Sequence, residues 1–396
     1  MLFQTLDDKR ECVGIYCDGA LSFDISILAG LTHTWSYSSF LSGHEVEYAK
    51  IYCGGLSLRE ACPTHLTERW ERVEEKLKAL LKSFHTARVS LNENCFFDLV
   101  PKRFLLEMCY VKDMICKHVF ENYEKPANYE HTLSLIKNIE DIKYRKLNIN
   151  PKNLSFYKSK HRKFSRKLRE IGPYCKFNIN GTKTGRLTTT AASFPILTLD
   201  KEFRCVIEPS NDYFVELDFN AAELRTLLAL QGKPQPVEDI HEWNIRNVFR
   251  GAGTRNEAKK RIFAWLYNPK SHDRMCEKIY DRNTVVQKYF TQGQVRTFFN
   301  KVIPSEERTA LNYIIQSTCA ENVLRQMAKV SNYLVGMDSH LAFPVHDSVV
   351  LDMTKEDLRR LPEIIEIFSN TELGKFKVNV SHGPNFGKLV NMEVQL

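Results

Sequence analysis

The period of polar and apolar positions changes several times along the chain, and each change marks an element. From Val215 to Asp218 the positions alternate like a strand. From Phe219 onward Ala221, Ala222, Leu224, Leu227, Leu228 and Leu230 recur at helical spacing. Asp218 therefore stands where a strand hands over to a helix. In Phe343-Pro-Val-His-Asp-Ser-Val-Val-Leu351 two apolar strands flank His346-Asp347, which reads as a hairpin tip. Helical spacing is clear at Leu66, Trp70, Val73, Leu77, Leu80 and Phe84. Pro101 to Tyr123 and Asn128 to Asn148 form a helical hairpin broken at Lys125-Pro126. Further helices run from Thr254 to Tyr267, stopped by Asn268-Pro269, from Glu306 to Val330, and through Leu358, Leu361, Ile364, Ile365 and Phe368. Strand-like pieces lie at Cys12–Cys17 and Phe376–Ser381.

The length, 396 residues, implies two to three structural units with ample core. No apolar run reaches membrane-spanning length, and Asp7, Asp8, Lys9 and Arg10 near the start speak against a signal peptide, so no membrane partner is expected. None of the eleven cysteines forms a C-x-x-C pair, which points to reduced, buried thiols in a cytosolic protein. Net charge is +8, and its distribution is informative: Lys143 to Arg169 holds eleven Lys/Arg and no acid, with Phe156, Tyr157 and Phe164 between them. A solvated basic helix is the plain alternative. Non-specific contact with a phosphate backbone explains the missing acids better, and Lys158, Lys160, Arg162, Lys163, Arg166 and Lys167 are the candidate contacts.

Three patterns carry chemistry. A carboxylate at a strand end can hold a divalent cation, although a lone Asp there is more often simply an N-cap. With Asp347 on an adjacent strand it could bridge two Mg²⁺ ions about 3.5–4 Å apart, as in in-line phosphoryl transfer. Arg255, Lys259, Phe263 and Tyr267 recur every four residues, a stripe suited either to a triphosphate and a base or to a surface helix with an inward aromatic edge. Arg308, Asn312 and Gln316 share one face of another helix and could report minor-groove shape, or simply form a polar face. Asn180-Gly-Thr-Lys-Thr-Gly-Arg-Leu-Thr188 lacks P-loop spacing, leaving a glycine-flanked turn that presents Arg186. The first 95 residues contain no D-x-E pair of the kind a proofreading nuclease needs.

Together these motifs resemble the family A DNA polymerases, the DNA polymerase I-like enzymes. Asp218-Phe-Asn-Ala-Ala-Glu-Leu-Arg225, Arg255-x3-Lys259-x3-Phe263-x3-Tyr267 and His346-Asp347 match three of their motifs in order. Thr184-Gly-Arg-Leu-Thr188, Arg204, Asp239-Ile-His241 and Arg308-x3-Asn312-x3-Gln316 support them, over residues 180 to 350. The resemblance implies an α+β right-hand polymerase with an antiparallel-sheet palm, helical fingers and helical thumb, plus a small N-terminal α/β domain. Residues 1–95 would be that domain, 96–180 the thumb, 181–241 and 305–396 the palm, and 242–304 the fingers. It further implies that Asp218, Asp347 and the carbonyl of Phe219 hold two Mg²⁺ ions, with Mn²⁺ as a substitute. Arg255, Lys259 and His241 would hold the triphosphate, with Lys259 the proton donor to pyrophosphate. Phe263 would stack on the incoming nucleotide, Tyr267 would close the pocket and Glu223 would exclude ribonucleotides. Arg186, Thr188, Arg308, Asn312 and Gln316 would track the duplex, with His346 by the primer end. The implied partners are primer–template DNA and dNTPs, with a separate exonuclease or processivity subunit through residues 1–95. The implied setting is the cytoplasm of a bacterial or phage-infected cell, since a compact chain without a nuclease looks similar to bacteriophage-encoded members. Ser348 stands where the family usually has Glu, and Asn268 where it has Gly. An RNA-synthesising relative, which would lack the Glu223 barrier, and a non-catalytic DNA-binding subunit stay open as alternatives.

Overall fold

Trp70 and Val73 point inward from helix α1, Thr67–Thr86, against Leu105, Met108, Cys109 and Ile115 of α2, Lys102–Asn122. The apolar residues at three- and four-residue spacing thus became one buried seam. Helix α3, Tyr129–Tyr144, contributes Tyr129 to a second cluster with Ile15, Leu28, Tyr48 and Ile51. There the Tyr129 hydroxyl accepts the Tyr48 N–H at 2.9 Å. The computed structural model describes residues 3–5, 14–91, 94–160, 172–191, 193–268 and 270–392. Its two compact units are Met1–Tyr144, which holds α1 to α3, and Arg145–Leu396. The division falls inside the 96–180 segment. Among the described residues one cysteine departs from the all-thiol expectation: Cys95 is disulfide-bonded, whereas nine others are free. No described helix is long and apolar enough to cross a membrane.

The second unit is built on a five-stranded antiparallel sheet. Strands β1 (Tyr213–Phe219), β2 (His340–Val345), β3 (Ser348–Met353), β4 (Val378–Gly383) and β5 (Val390–Met392) lie in the order β2-β3-β1-β4-β5. Pro344, which cannot donate to a ladder, is tolerated because β2 is an edge strand. Along β1, Val215, Leu217 and Phe219 are buried while Glu216 and Asp218 stay partly accessible, the two-residue period of a strand with one wet face. Phe219 stacks on Phe368 at 4.4 Å and meets Phe376 edge-on at 5.4 Å. Phe368 comes from helix α8, Leu361–Ser369. The helix after β1 begins later than the periodicity suggests. It is α4, Ala222–Leu230, and Ala221 before it takes the left-handed conformation, φ 49°. Asp218 is therefore not its N-cap.

A fully buried arginine ties this junction together. Arg225 of α4 donates to the carbonyls of Asn220 (2.8 Å), Pro236 (2.7 Å) and Glu238 (2.8 Å). Burial pulls its pKa down to about 10, so it stays cationic near neutrality. The loop it holds ends at Asp239, whose side chain caps helix α5, Ile240–Asn247, by accepting the N–H groups of His241 and Glu242. Helix α6, Arg255–Tyr267, starts with a reciprocal capping box between Thr254 and Glu257. Helix α7, Glu307–Tyr333, packs on α4, α8 and strands β2 and β3, and buries Ile314, Ile315, Val323 and Met327. We expect Arg225→Leu, which strands three buried carbonyls, to cost about 3–5 kcal/mol of stability. The denaturant midpoint measures this, and a shift no larger than an ordinary surface substitution gives would count against Arg225 as the tie at this junction.

Candidate active site

Asp218 and Asp347 come together because β1 pairs with β3. Asp218 lies opposite Ser348 in that ladder, and Asp347 immediately precedes Ser348. His346 and Asp347 form the two-residue connection between β2 and β3, and His346 has φ 54°. Two non-glycine residues near the carboxylates are held in the left-handed region: Ala221, three residues after Asp218, and His346, immediately before Asp347. Such strain persists only where the surroundings over-determine it. Both carboxylates line one cleft of about 1480 Å³, with Glu216, Ser348, Asn379 and Ser381 along the sheet, and Asp239 and Arg255 at one end. Arg204, Lys233, Lys375 and Lys377 give the same cleft a cationic rim.

Burial pushes the Asp218 carboxyl up to about 6, and the negative charges of Glu216 and Asp347 add to it. Asn379, whose Nδ2 donates to Asp218 Oδ2 at 3.3 Å, and Lys259 act the other way. Asp347 is also raised, by burial first; Arg186 opposes this and Glu223 reinforces it. Arg186 Nη2 donates to Glu223 Oε1 at 2.7 Å and lies 3.9 Å from Asp347 Oδ1, so the guanidinium bridges the two acids. A pair of carboxylates that burial and neighbouring negative charge both disfavour as anions is what a divalent cation would relieve, and the pair fits one in that sense. Among the described residues no three His, Cys, Asp or Glu side chains gather as a ready-made cage.

The helical stripe splits as its chemistry suggests: Arg255 and Lys259 are exposed, Phe263 and Tyr267 half-buried. Phe263 stacks on Tyr267 at 6.2 Å and tilts over His241 at 6.1 Å. Burial lifts the Tyr267 hydroxyl's pKa, and Glu223 beside it adds to that. His241 is 2% exposed, and burial lowers its pKa to about 4, so near neutrality it is a neutral ring rather than a cation. Arg255 is engaged by Asp239, at 2.7 and 3.2 Å. Burial alone would raise that acid, yet Arg255, Asn220 and the Glu242 N–H hold it well below the usual carboxylate range.

Elsewhere, Arg308 is exposed and paired with Glu306 at 2.5 Å, and Asn312 and Gln316 are half-buried one and two turns further along α7. Thr188 sits on a short ladder with Asn178, so close to Gly181 that a Cβ there would meet its Oγ1 at 1.7 Å. The side chain of Phe219 is core, so only its backbone faces the site's chemistry. Arg186 Nε, His241 Nδ1 and Asn312 Oδ1 are buried without a hydrogen-bond partner. The Tyr267 hydroxyl is another, and further such atoms lie outside the expected site, on Trp70, Asn138 and Trp265. The side chains of Lys158 and Lys160, and Arg162, Lys163, Arg166 and Lys167 entirely, lie outside the described residues. Asn379 was missed. Its strand looked architectural, and only the pairing of Asn379 with Asp218 across the β1–β4 ladder shows otherwise.

A solved structure, the POL domain of Pol1 from M. smegmatis in complex with DNA primer-template and dNTP, matches this chain with a TM-score of 0.56. The match covers 72% of this chain and 75% of that one, at 12% identity. The chain shares the fold of a polymerase domain. No family model matches it, and no curated protein sequence does.

The raised Asp218 carboxyl has a consequence for stability. An acid with a raised folded pKa binds its proton more tightly in the fold. The cost of ionising it is absent below 3.8, grows as pH rises toward about 6, and is complete above. We expect Asp218→Asn, in a chelating buffer, to stabilise the fold near neutral pH by about 1–3 kcal/mol, with the gain gone at acid pH. Thermal melting at the two pH values measures it; an equal shift at both would contradict the burial argument.

Proposed function

We propose that the chain is a template-directed DNA polymerase that adds dNTPs to a primer 3′-hydroxyl by phosphoryl transfer. The observation that carries this is the placing of Asp218 and Asp347, 129 positions apart in sequence, on neighbouring strand ends in the wall of one cleft. The likeness to a polymerase domain supports it. Asp218, Asp347 and the Phe219 carbonyl would hold two Mg²⁺ ions, with Mn²⁺ able to substitute; when bound, these supply charge neutralisation and a more acidic 3′-hydroxyl. The chain's own part is positioning and electrostatics. Lys259 and Arg255 present positive charge to the triphosphate, and Lys259 gives a proton to the departing pyrophosphate. His241, neutral and buried, offers a hydrogen-bond donor rather than a charge. Phe263 stacks on the incoming nucleotide and Tyr267 closes its pocket.

Glu223, held by Arg186 and adjoining Tyr267, stands at the sugar and excludes a 2′-hydroxyl. Arg186, Thr188, Arg308, Asn312 and Gln316 follow the new duplex, His346 lies by the primer end, and the basic stretch from Lys143 to Arg169 holds phosphates. In this reading the sheet of the second unit is the palm, 242–304 the fingers and 96–180 the thumb. Residues 1–95 serve a partner subunit, and proofreading is absent from the chain.

Asp218→Ala and Asp347→Ala are expected to abolish primer extension while leaving primer–template binding within a few-fold; retained extension by either would falsify the assignment. Glu223→Ala is expected to admit ribonucleotides about 10²-fold more readily, taking rejection of a sugar hydroxyl as comparable to other specificity pockets. Ribonucleotide incorporation by the unaltered chain would instead favour the RNA-synthesising alternative.

A further inference from the structure

The cleft wall contains a third acid that this reading has not used. Glu216 lies two residues before Asp218 on β1, so the strand's period puts both on the accessible face of the sheet. Its Oε1 is 2.7 Å from Ser348 Oγ, which is 3.0 Å from the Val345 carbonyl; the shorter contact is to the carboxylate. Ser348 is the residue directly opposite Asp218 across the β1–β3 ladder, and it follows Asp347 in the chain. One hydroxyl therefore ties the third acid to the strand ends that carry the other two. No Lys, Arg or His pairs with Glu216 among the described residues, although it is only partly accessible and two other acids line the same wall. A carboxylate kept in such a place without a cation of its own is poised for positive charge that arrives with the substrate.

Resting on the polymerase reading above, we infer that Glu216 is a positioning residue for the divalent cations at Asp218 and Asp347, held in register by Ser348. Glu216 and Asp218 share a strand face, yet with Asp347 they do not gather into one set of ligands. Glu216 acts from one shell further out, through the ions' own hydration and through the field at Asp218. The same geometry accounts for serine at position 348. A glutamate there would stand opposite Asp218 and diagonal to Glu216, whereas serine lets the single carboxylate sit on β1.

The test is a Mn²⁺ titration followed by electron paramagnetic resonance, on the chain bound to a dideoxy-terminated primer–template and a dNTP. Glu216→Gln keeps the shape and an acceptor for Ser348 and removes only the charge. It is expected to weaken Mn²⁺ binding about tenfold. In parallel, extension at low Mg²⁺ should fall and recover when Mg²⁺ is raised, with the KM for dNTP at saturating metal unchanged. Glu216→Ser combined with Ser348→Glu returns the carboxylate to the same face one strand away and should regain the tighter binding. Wild-type-like Mn²⁺ binding by Glu216→Gln, in a chain that extends primers, overturns this inference alone. So does failure of the exchange to restore binding when its melting temperature matches the parent. Absence of extension by the unaltered chain removes the polymerase reading, and this one with it.

Discussion

Everything in the second unit depends on the register of one central strand. Tyr213–Phe219 is hydrogen-bonded on both sides, and its pairing sets Asp218 opposite Ser348 on one flank and Asn379 on the other. A slip of one residue would turn Glu216 and Asp218 into the helix-covered core and Val215, Leu217 and Phe219 into water. The hydrophobic cost of that exchange pins the acids to the wet face. Burial of Phe219 against Phe368 and Phe376 is thus as necessary to the site as the carboxylates.

Around that strand the polar groups form a connected set. Arg225 draws the loop ending at Asp239 against the strand–helix junction, and Asp239 in turn receives Asn220, the first turn of α5 and Arg255 of α6. Arg186 meanwhile joins Glu223 of α4 to the hairpin tip at Asp347. Two arginines, one buried and one half-exposed, thereby couple three helices to the sheet. The site is assembled by these links, because no single element carries enough of it.

Much of this was legible in the sequence wherever the signal was local. Helices α1, α2, α6 and α7, the β2–β3 hairpin and the strand before Asp218 follow from periodicity and start or stop residues within a few positions of one another. The clustering of Asp218 with Asp347 was legible because each sits at a strand end with its own pattern. What the sequence could not show depends on pairing between distant segments. Asn379 looks like any polar residue on an alternating strand until β4 is laid against β1. Glu216 looks like the outward residue of a strand until Ser348 is found beside it. The start of α4 was misjudged because Ala221 has good helix propensity yet occupies a left-handed turn. The burial of His241 arises from α5 packing on α6, and the free-thiol expectation failed at Cys95, where composition says nothing about proximity.

Lys259 stands on a helix separate from the strand whose acid it stabilises. Its influence on Asp218 is a charge acting at a distance, which depends on how far apart the two elements stand, whereas Asn379 acts through a hydrogen bond within the sheet. Swinging that helix away would leave the sheet intact and still make the carboxyl hold its proton more tightly. The acid's surroundings therefore combine fixed neighbours on the sheet with one charge that belongs to a different element.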